Sequence, residues 1–312
     1  MRTLLDHLGG TPLVPLVHVG AGLPVPVLVK CEHLNPGGSV KDRLGRAIVD
    51  DAEARGVLRP GMTLIEATAG NTGVGLALVA AARGYALVCV MPEKMSTDKR
   101  TALAMLGARV VMTPNAPRHA PENFRNVAAR LAAENGWFLT DQFNNPANVR
   151  IHETTTGAEL LAQTGGAIGA FVAGAGTGGT ISGVGRALKA AIPGVQVVLA
   201  DPVGSGLADW VERGSLGADG SYAVEGIGGS EVPGNLHREV IDAAERISDE
   251  ESFAMVKRLV REEGLLVGGS AGTNVAAALR VAARGGLSGP VVTVLPDGWD
   301  RYRAKPWMHG WD

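Results

Sequence analysis

Short runs of apolar residues alternate along the chain with longer segments of helical periodicity. The first clear strand is TLIEA at 63–67, an apolar run too short for a helix. A helix of small residues follows at 72–84 and ends at Gly84, since glycine adopts the backbone conformation that stops a helix. The alternation of strand and helix continues to residue 140 and resumes after a polar break at 144–150. This pattern predicts α/β architecture, with mostly parallel sheets covered by helices.

The individual elements follow from the same periodicity. Residues 203–236 are rich in glycine and predict an irregular segment, and Ser96 is the predicted N-cap of its helix. The tail carries Trp299, Tyr302, Trp307 and Trp311 and predicts a segment packed on the surface. The predicted strands are 63–67, 86–91, 108–113, 137–140, 170–175, 195–201 and 291–296, and the predicted helices are 72–84, 96–108, 121–136, 151–165, 181–192, 251–264 and 270–286.

Length, net charge, apolar runs and cysteine spacing limit the classes to which the protein can belong. The 312 residues suit two domains. The net charge of -2 provides no basic field for nucleic acid. No apolar run approaches the roughly 20 residues of a membrane span, and no signal peptide precedes the first strand, so we expect a cytoplasmic protein. The two cysteines, Cys31 and Cys89, have no metal-ligand spacing, so neither a metal site nor a disulfide framework is expected.

A glycine-rich loop follows the strand at 170–175. Gly174, Gly176 and Gly179 fit the pattern G-x-G-x-x-G, and Asp201 follows 22 residues after the last of them. This is the fingerprint of a dinucleotide site, and therefore of an NAD-dependent dehydrogenase. Backbone N–H groups at a helix N-terminus bind any phosphate, however, so a smaller phosphorylated cofactor fits the loop equally well.

Three further segments carry candidate chemistry. Lys41 opens a helix after the turn NPGG, where it is either a surface lysine or a Schiff-base former with a lowered pKa. The strand-end loop Thr68–Thr72 offers hydroxyls, an amide and backbone donors for a carboxylate, although Asn71 and Thr72 also suit a helix cap. Ser270 begins another helix, either as an N-cap or as a ligand.

These segments together resemble one family. The motifs GGTPL, LNPGGSVKDR, EATAGNTG, MPEKMS, QFNNPAN, GTGGTISG, EGIGGSEVP, EEGLLVGGSAG and VLPD occur in the family's order over nearly the whole chain. The chain is similar to the pyridoxal-phosphate enzymes of fold type II, the tryptophan-synthase-β type, within the branch of cysteine synthases and cystathionine β-synthases. In that context the dinucleotide fingerprint is a coincidental match.

The resemblance implies a role for each candidate residue. Lys41 is expected to hold pyridoxal 5'-phosphate as a Schiff base and to act as the catalytic base. The smaller, mobile domain is expected at 1–12 and 35–145, and the larger one at 13–34 and 146–312. The implied cofactor contacts are Asn71 to the ring oxygen, Gly176, Thr177, Gly178, Gly179 and Thr180 to the phosphate, and Ser270 to the pyridine nitrogen; the implied substrate contacts are Thr68, Ala69, Gly70, Thr72, Gln142 and Gly226.

The resemblance also implies the reaction. Loss of a β-substituent from serine or an O-activated serine gives an aminoacrylate, to which a thiol adds. We expect homocysteine as the thiol, as in cystathionine β-synthases, with cysteine synthase chemistry (O-acetylserine and sulfide) as the alternative. Two positions depart from the family, since Ala69 stands where serine is usual and Gly229 where tyrosine is common. The expected partners are small amino-acid and thiol substrates and a second copy of the chain.

Overall fold

The chain divides into two structural units, each described by itself. A computed structural model describes residues 3–68, 70–93, 95 and 97–309. The first unit comprises Met1–Leu8 and Asn35–Asn148, and the second Gly9–Leu34 and Val149–Asp312. The sequence-based boundaries differ by three or four residues at two of the three junctions. The segment 9–12 falls in the second unit, where the carbonyl oxygen of Thr11 accepts hydrogen bonds from side chains of that unit.

The first unit is a four-stranded parallel sheet in the order β5-β4-β3-β6. Successive side chains of its strands point to opposite faces. Leu64 therefore packs in one core with Leu76 of a covering helix, and Ile65 packs in another with Ala128. Its elements are α1 (Lys41–Ala54), β3 (Thr63–Ala67), α2 (Asn71–Arg83), β4 (Ala86–Pro92), α3 (Thr97–Met105), β5 (Arg109–Thr113), α4 (Phe124–Asn135) and β6 (Phe138–Leu139).

The second unit contains a six-stranded sheet in the order β1-β2-β10-β7-β8-β9. Only the edge pair β1 and β2 is antiparallel among the described strands. Phe171 and Val172 illustrate its two covered faces, because they belong to different apolar cores. Its elements are β1 (Leu13–Pro15), β2 (Val27–Lys30), α6 (Ala158–Thr164), β7 (Ala170–Ala173), α7 (Gly179–Ala191), β8 (Gln196–Pro202), α8 (Leu207–Arg213), β9 (Ala243–Ile247), α9 (Asp249–Glu263), α10 (Gly269–Ala283) and β10 (Val291–Val294), while α5 (Ala147–Ile151) contains the junction of the units.

The α/β class with mostly parallel sheets is confirmed, and the differences are local. The predicted helix 151–165 is interrupted by a π-helical turn at His152–Gly157. The segment 203–236 is not wholly irregular, since it contains α8. The edge strands β1 and β9 escaped detection because they are only partly buried, and β2 escaped detection because it has only four residues. Ser96 lies outside the described residues.

The tail is more than a surface segment. Tyr302 is 5% exposed, and its hydroxyl donates a hydrogen bond of 2.6 Å to Asp297 Oδ2. Trp307 stacks on Phe253 of α9, with ring centroids 4.7 Å apart. Within the described part of the chain, no helix has the length and apolar character needed to cross a membrane.

Candidate active site

Lys41 is the first residue of α1, as the sequence predicts. The preceding turn uses Gly38 in the left-handed conformation, with φ of 78°. The Lys41 backbone N–H donates to Ser39 Oγ at 3.2 Å, and the Gly37 N–H donates to the carboxylate of Asp42 at 2.6 Å. These local contacts fix the start of the helix and the half-buried position of Lys41.

Two glycines allow α1 and α2 to pack backbone to backbone. A Cβ on Gly75 would lie 2.6 Å from the carbonyl oxygen of Lys41, and a Cβ on Gly45 would lie 2.5 Å from the carbonyl carbon of Gly75. The close approach brings the beginning of α2 to the beginning of α1. Lys41 and Asn71 are the first residues of these two closely packed helices of the first unit.

The loop before α2 does not use a side chain as a helix cap. Gly70 is the N-cap, so the cap hypothesis for Asn71 and Thr72 is wrong. The Thr72 hydroxyl instead donates a hydrogen bond of 2.6 Å to Gln142 Oε1. Thr68 is buried, and its hydroxyl oxygen accepts a hydrogen bond from the Gly70 N–H at 3.3 Å. The structure thus brings Thr68, Gly70, Thr72 and Gln142 together, while Ala69 lies outside the described residues.

A buried carboxylate, which the sequence analysis missed, supports this loop. Glu66 on β3 accepts hydrogen bonds from its neighbour's backbone N–H (Ala67, 2.9 Å), from the hydroxyl of Thr140 and from the backbone N–H of Gln142 (3.1 Å). Burial nevertheless raises the pKa of Glu66 to about 7, because the hydrogen bonds offset desolvation only in part. The available signal was an acidic residue within the otherwise apolar run LIEA of a buried strand.

In the second unit, the glycine-rich loop lies between β7 and α7. Gly178 is the N-cap of α7, with φ of 86°, and a Cβ there would lie 2.5 Å from the Leu236 nitrogen. A Cβ on Gly176 would collide with the carbonyl oxygen of Gly226. The loop therefore requires glycine at both positions. Thr177, Gly179 and Thr180 complete a run of backbone donors at the N-terminus of a 13-residue helix, where anions are stabilised.

Ser270 is the second residue of α10 and is 3% exposed. The N-cap is Gly268, so the cap hypothesis for Ser270 is wrong. One turn further along the same face, Asn274 accepts a hydrogen bond of 2.7 Å from the Gly174 N–H and donates one of 2.9 Å to the Val294 carbonyl. Asn274 therefore ties the serine helix to the start of the glycine loop. Its four-residue spacing from Ser270 was a signal that the sequence analysis did not use.

The segment 225–229, which contains the motif EGIGG, is attached to the glycine loop. The Gly228 N–H donates to the Ala175 carbonyl at 2.8 Å. Gly229 is held by Ser205, whose hydroxyl oxygen accepts from the Gly229 N–H at 3.0 Å. Gly226 itself is exposed, with φ of 86°. His152, which the sequence analysis also missed, lies beside the same loop, with its Nε2 3.2 Å from Thr180 Oγ1.

Asp201 does not have the position that a dinucleotide site requires. Its side chain is fully buried, and its Oδ2 accepts a hydrogen bond of 2.8 Å from the backbone N–H of Ala208 in α8. Burial raises the pKa of Asp201 to about 6. The carboxylate is therefore a structural group beneath α8 and not a ligand for a ribose hydroxyl.

The residues present fit pyridoxal 5'-phosphate. The close contacts at Gly176 and Gly178 leave a backbone loop free of Cβ atoms, which suits the close approach of a phosphate. Lys41 supplies an amine and Ser270 supplies a neutral hydroxyl, each at the beginning of a helix. When bound, the cofactor supplies an electron sink for cleavage of bonds at the α-carbon of an amino acid.

Comparison with known proteins agrees with this fit. A family model described as "Pyridoxal-phosphate dependent enzyme" matches residues 4–297. The chain belongs to this family of pyridoxal-phosphate-dependent enzymes, and its cofactor is pyridoxal phosphate. Within the family, the chain is a member of the group that contains cystathionine β-synthases and cysteine synthases, which replace the β-substituent of an amino acid.

The relatives come from both branches of that group. The chain is 44% identical to a cystathionine β-synthase of Apis mellifera over 98% of its own length and 61% of the relative's length. It thus spans less than two thirds of that relative. It is also 43% identical to a cysteine synthase of Staphylococcus aureus, over 96% of this chain and 94% of the relative.

Two solved structures are similar to this chain over nearly its whole length. An O-ureido-L-serine synthase superposes with a TM-score of 0.91 at 39% identity, over 100% of this chain and 96% of the other. An O-acetylserine-dependent cystathionine β-synthase from Helicobacter pylori superposes with a TM-score of 0.90 at 37% identity, over 99% of both chains.

Proposed function

We propose that this enzyme replaces the acetate of O-acetylserine with homocysteine and thereby forms cystathionine. The choice of donor rests on Gly229, which has no side chain at a position where tyrosine is common in the family. Gly229 brings no side chain, and the nearby Ser205 hydroxyl is engaged with both the N–H and the carbonyl of Gly229. The segment 225–229 therefore offers no phenol at this position to protonate a departing group.

The donor preference follows from leaving-group chemistry. Hydroxide is a poor leaving group and needs a proton as it departs, whereas acetate leaves without one. Ala69 also contributes no hydroxyl where serine is usual in the family. Because neither position 69 nor position 229 supplies a proton to a leaving group, the proposed donor is O-acetylserine and not serine. The similarity to a protein described as O-acetylserine dependent supports this preference.

The proposed preference for homocysteine as the acceptor rests on the small residues at positions 69 and 229. Gly229 carries no side chain, and Ala69 carries only a methyl group. Small residues at 69 and 229 leave room for the longer chain of homocysteine. The similarity to cystathionine β-synthases at 44% identity is consistent with that thiol.

Each site residue has a proposed task. Lys41 Nζ would hold the cofactor, and the same amine is the proposed base for the α-proton of the substrate. The segment 176–180 would hold the cofactor phosphate, Asn71 its ring oxygen, and Ser270 its pyridine nitrogen. The proposed contacts to the amino-acid substrate and its carboxylate are made by Thr68, Ala69, Gly70, Thr72, Gln142 and Gly226.

Cysteine synthase activity, with sulfide as the nucleophile, is the second candidate. The 43% identity to the S. aureus cysteine synthase over 94% of that relative favours it. Both candidates share the donor half of the reaction and differ in the sulfur nucleophile, which is homocysteine in one and sulfide in the other.

We also propose that the enzyme is a homodimer, that it is located in the cytoplasm, and that it has a role in transsulfuration.

The experiment is a comparison of kcat/KM for serine and O-acetylserine, each with homocysteine and with sulfide, and with identification of the products. We expect O-acetylserine to exceed serine by at least about tenfold, and cystathionine to form from homocysteine. If serine is the better donor, the argument from Gly229 and Ala69 fails. If homocysteine yields no cystathionine with either donor, the cysteine synthase function replaces the one proposed.

A further inference from the structure

The residue that precedes Gln142 has an unusual backbone conformation. Asp141 has φ of 44°, and it is the only residue other than glycine among those described that has positive φ. Such a conformation is disfavoured for residues with a Cβ and persists only where surrounding contacts hold it. The neighbours of Asp141 are Thr140 and Gln142, which are both buried.

One carboxylate oxygen binds the residues on both sides of Asp141. Glu66 Oε2 accepts the hydroxyl hydrogen of Thr140 and the backbone N–H of Gln142 at 3.1 Å. The other oxygen of Glu66 accepts the backbone N–H of Ala67, which directly precedes Thr68. The Glu66 side chain is therefore connected to two segments at once, the turn at 140–142 and the end of β3.

The same turn directs the side chain of Gln142. Its Oε1 accepts the hydroxyl hydrogen of Thr72 at 2.6 Å, and its Nε2 donates to the Ala67 carbonyl at 3.4 Å. The carbonyl of Gln142 is held in turn by Asn148 Nδ2 at 2.8 Å. A shift of the backbone at 140–142 would consequently move Gln142 away from Thr72.

We propose that Glu66 is a positioning residue for recognition of the substrate carboxylate, which it controls by holding Thr140 and Gln142 on either side of Asp141. This inference rests on the proposed role of Thr72 and Gln142 in binding that carboxylate. Glu66 itself is 2% exposed and bonded to protein groups through both oxygens, so it acts through Gln142 and not on the substrate.

The test compares two ligands that differ only in the group recognised. L-Alanine carries a carboxylate and L-alaninamide a neutral amide, and neither has a leaving group at the β-carbon. Their dissociation constants for the holoenzyme are measured by titration calorimetry in Glu66→Gln and Thr140→Val. In Glu66→Gln an amide NH₂ faces hydrogen-bond donors, and in Thr140→Val one donor to Glu66 is lost.

The matched controls are Thr140→Ser and Glu245→Gln. Thr140→Ser keeps the hydroxyl, and Glu245 is a carboxylate on β9 that is 6% exposed and paired with Arg284 instead of the loop. We expect Glu66→Gln and Thr140→Val to weaken L-alanine binding at least tenfold and to change L-alaninamide binding less than twofold. Both controls are expected to change either ligand less than twofold.

Equal weakening of both ligands would overturn the inference, because it would indicate a general structural role. Unchanged L-alanine binding in both variants would overturn it as well. If Glu66→Gln does not fold, Thr140→Val decides the question, since it removes a single hydroxyl. The titrations involve no thiol and no leaving group, so failure of O-acetylserine or homocysteine as substrates would leave the inference standing.

Discussion

The amine of Lys41 is distinguished from that of Lys30 by its surroundings. Lys30 is fully buried, and its Nζ binds the Thr11 carbonyl, Gln163 Oε1 and Glu159 Oε2 at 2.6 to 2.8 Å. An amine that is engaged by a carboxylate and two further oxygens is not available to bind a cofactor. Lys41 instead lies half-buried at the start of α1 beside α2.

We therefore expect Lys41→Ala to lower kcat about a thousandfold, since it removes the proposed general base. The variant should still bind the cofactor through the glycine loop, with lower affinity. Borohydride reduction of the wild-type holoenzyme followed by peptide mapping should label Lys41. A label on Lys30 or Lys94 would refute the assignment.

The titration of Glu66 should make the free energy of unfolding depend on pH. Burial raises its pKa from 4.5 to about 7, and the neighbouring charge of Asp141 adds to the rise. Between these two values the folded protein binds more protons than the unfolded chain, so the free energy of unfolding falls as pH increases. The fall ends above about pH 7, and its full size is on the order of 3 kcal/mol.

Glu66→Gln cannot titrate at this position and should lack that fall. The measurement is urea unfolding of the wild type and of Glu66→Gln between pH 4.5 and pH 8. Curves for wild type and Glu66→Gln that stay parallel over this range would contradict the assignment of the titration to Glu66.

At the scale of elements, the contact between α1 and α2 determines where Lys41 lies. The Cβ that Gly75→Ala adds would lie 2.6 Å from the Lys41 carbonyl oxygen, and a backbone atom cannot move aside as a side chain can. We expect a loss of about 1–3 kcal/mol in unfolding free energy and a lower kcat, because the helices must separate. Urea unfolding and steady-state kinetics measure the two effects.

Gly185→Ala is the control for this substitution. Gly185 also lies within a helix, α7, but its added Cβ would meet only side-chain atoms, the nearest at 3.2 Å on Val240. Both substitutions gain the same helix propensity, about 1 kcal/mol, so the difference between them isolates the backbone contact. Equal stability of the two variants would show that the helices tolerate the added methyl group.

Elements were predictable where periodicity was strong and length sufficient. The helix at Asn71–Arg83 and the strand at Thr63–Ala67 lie within a residue of their predicted limits. The seven-residue helix Leu207–Arg213 was missed because it lies among glycines and shows barely two turns of its pattern. The π-helical turn His152–Gly157 was missed because its packing partner, Gly183 of α7, is distant in sequence.

At the scale of the whole molecule, the prediction concerns assembly. We expect sedimentation equilibrium to give twice the chain mass of 32.1 kDa. Symmetric dimers are the commonest assembly of soluble proteins, and the family resemblance implies the same. A mass of one chain across the micromolar range would exclude the dimer.

The sequence by itself determined the α/β class, the family and the candidate residues, because regular periodicity and glycine-rich motifs are local properties of the chain. Lys41 and Ser270 became candidates in this way. Only the tertiary structure decided which polar groups meet across long separations in sequence. Glu66 binds Thr140 and Gln142 some 75 positions away, and Asn274 binds Gly174 at a separation of 100. Such contacts depend on how sheets and helices pack, which no short window of sequence encodes.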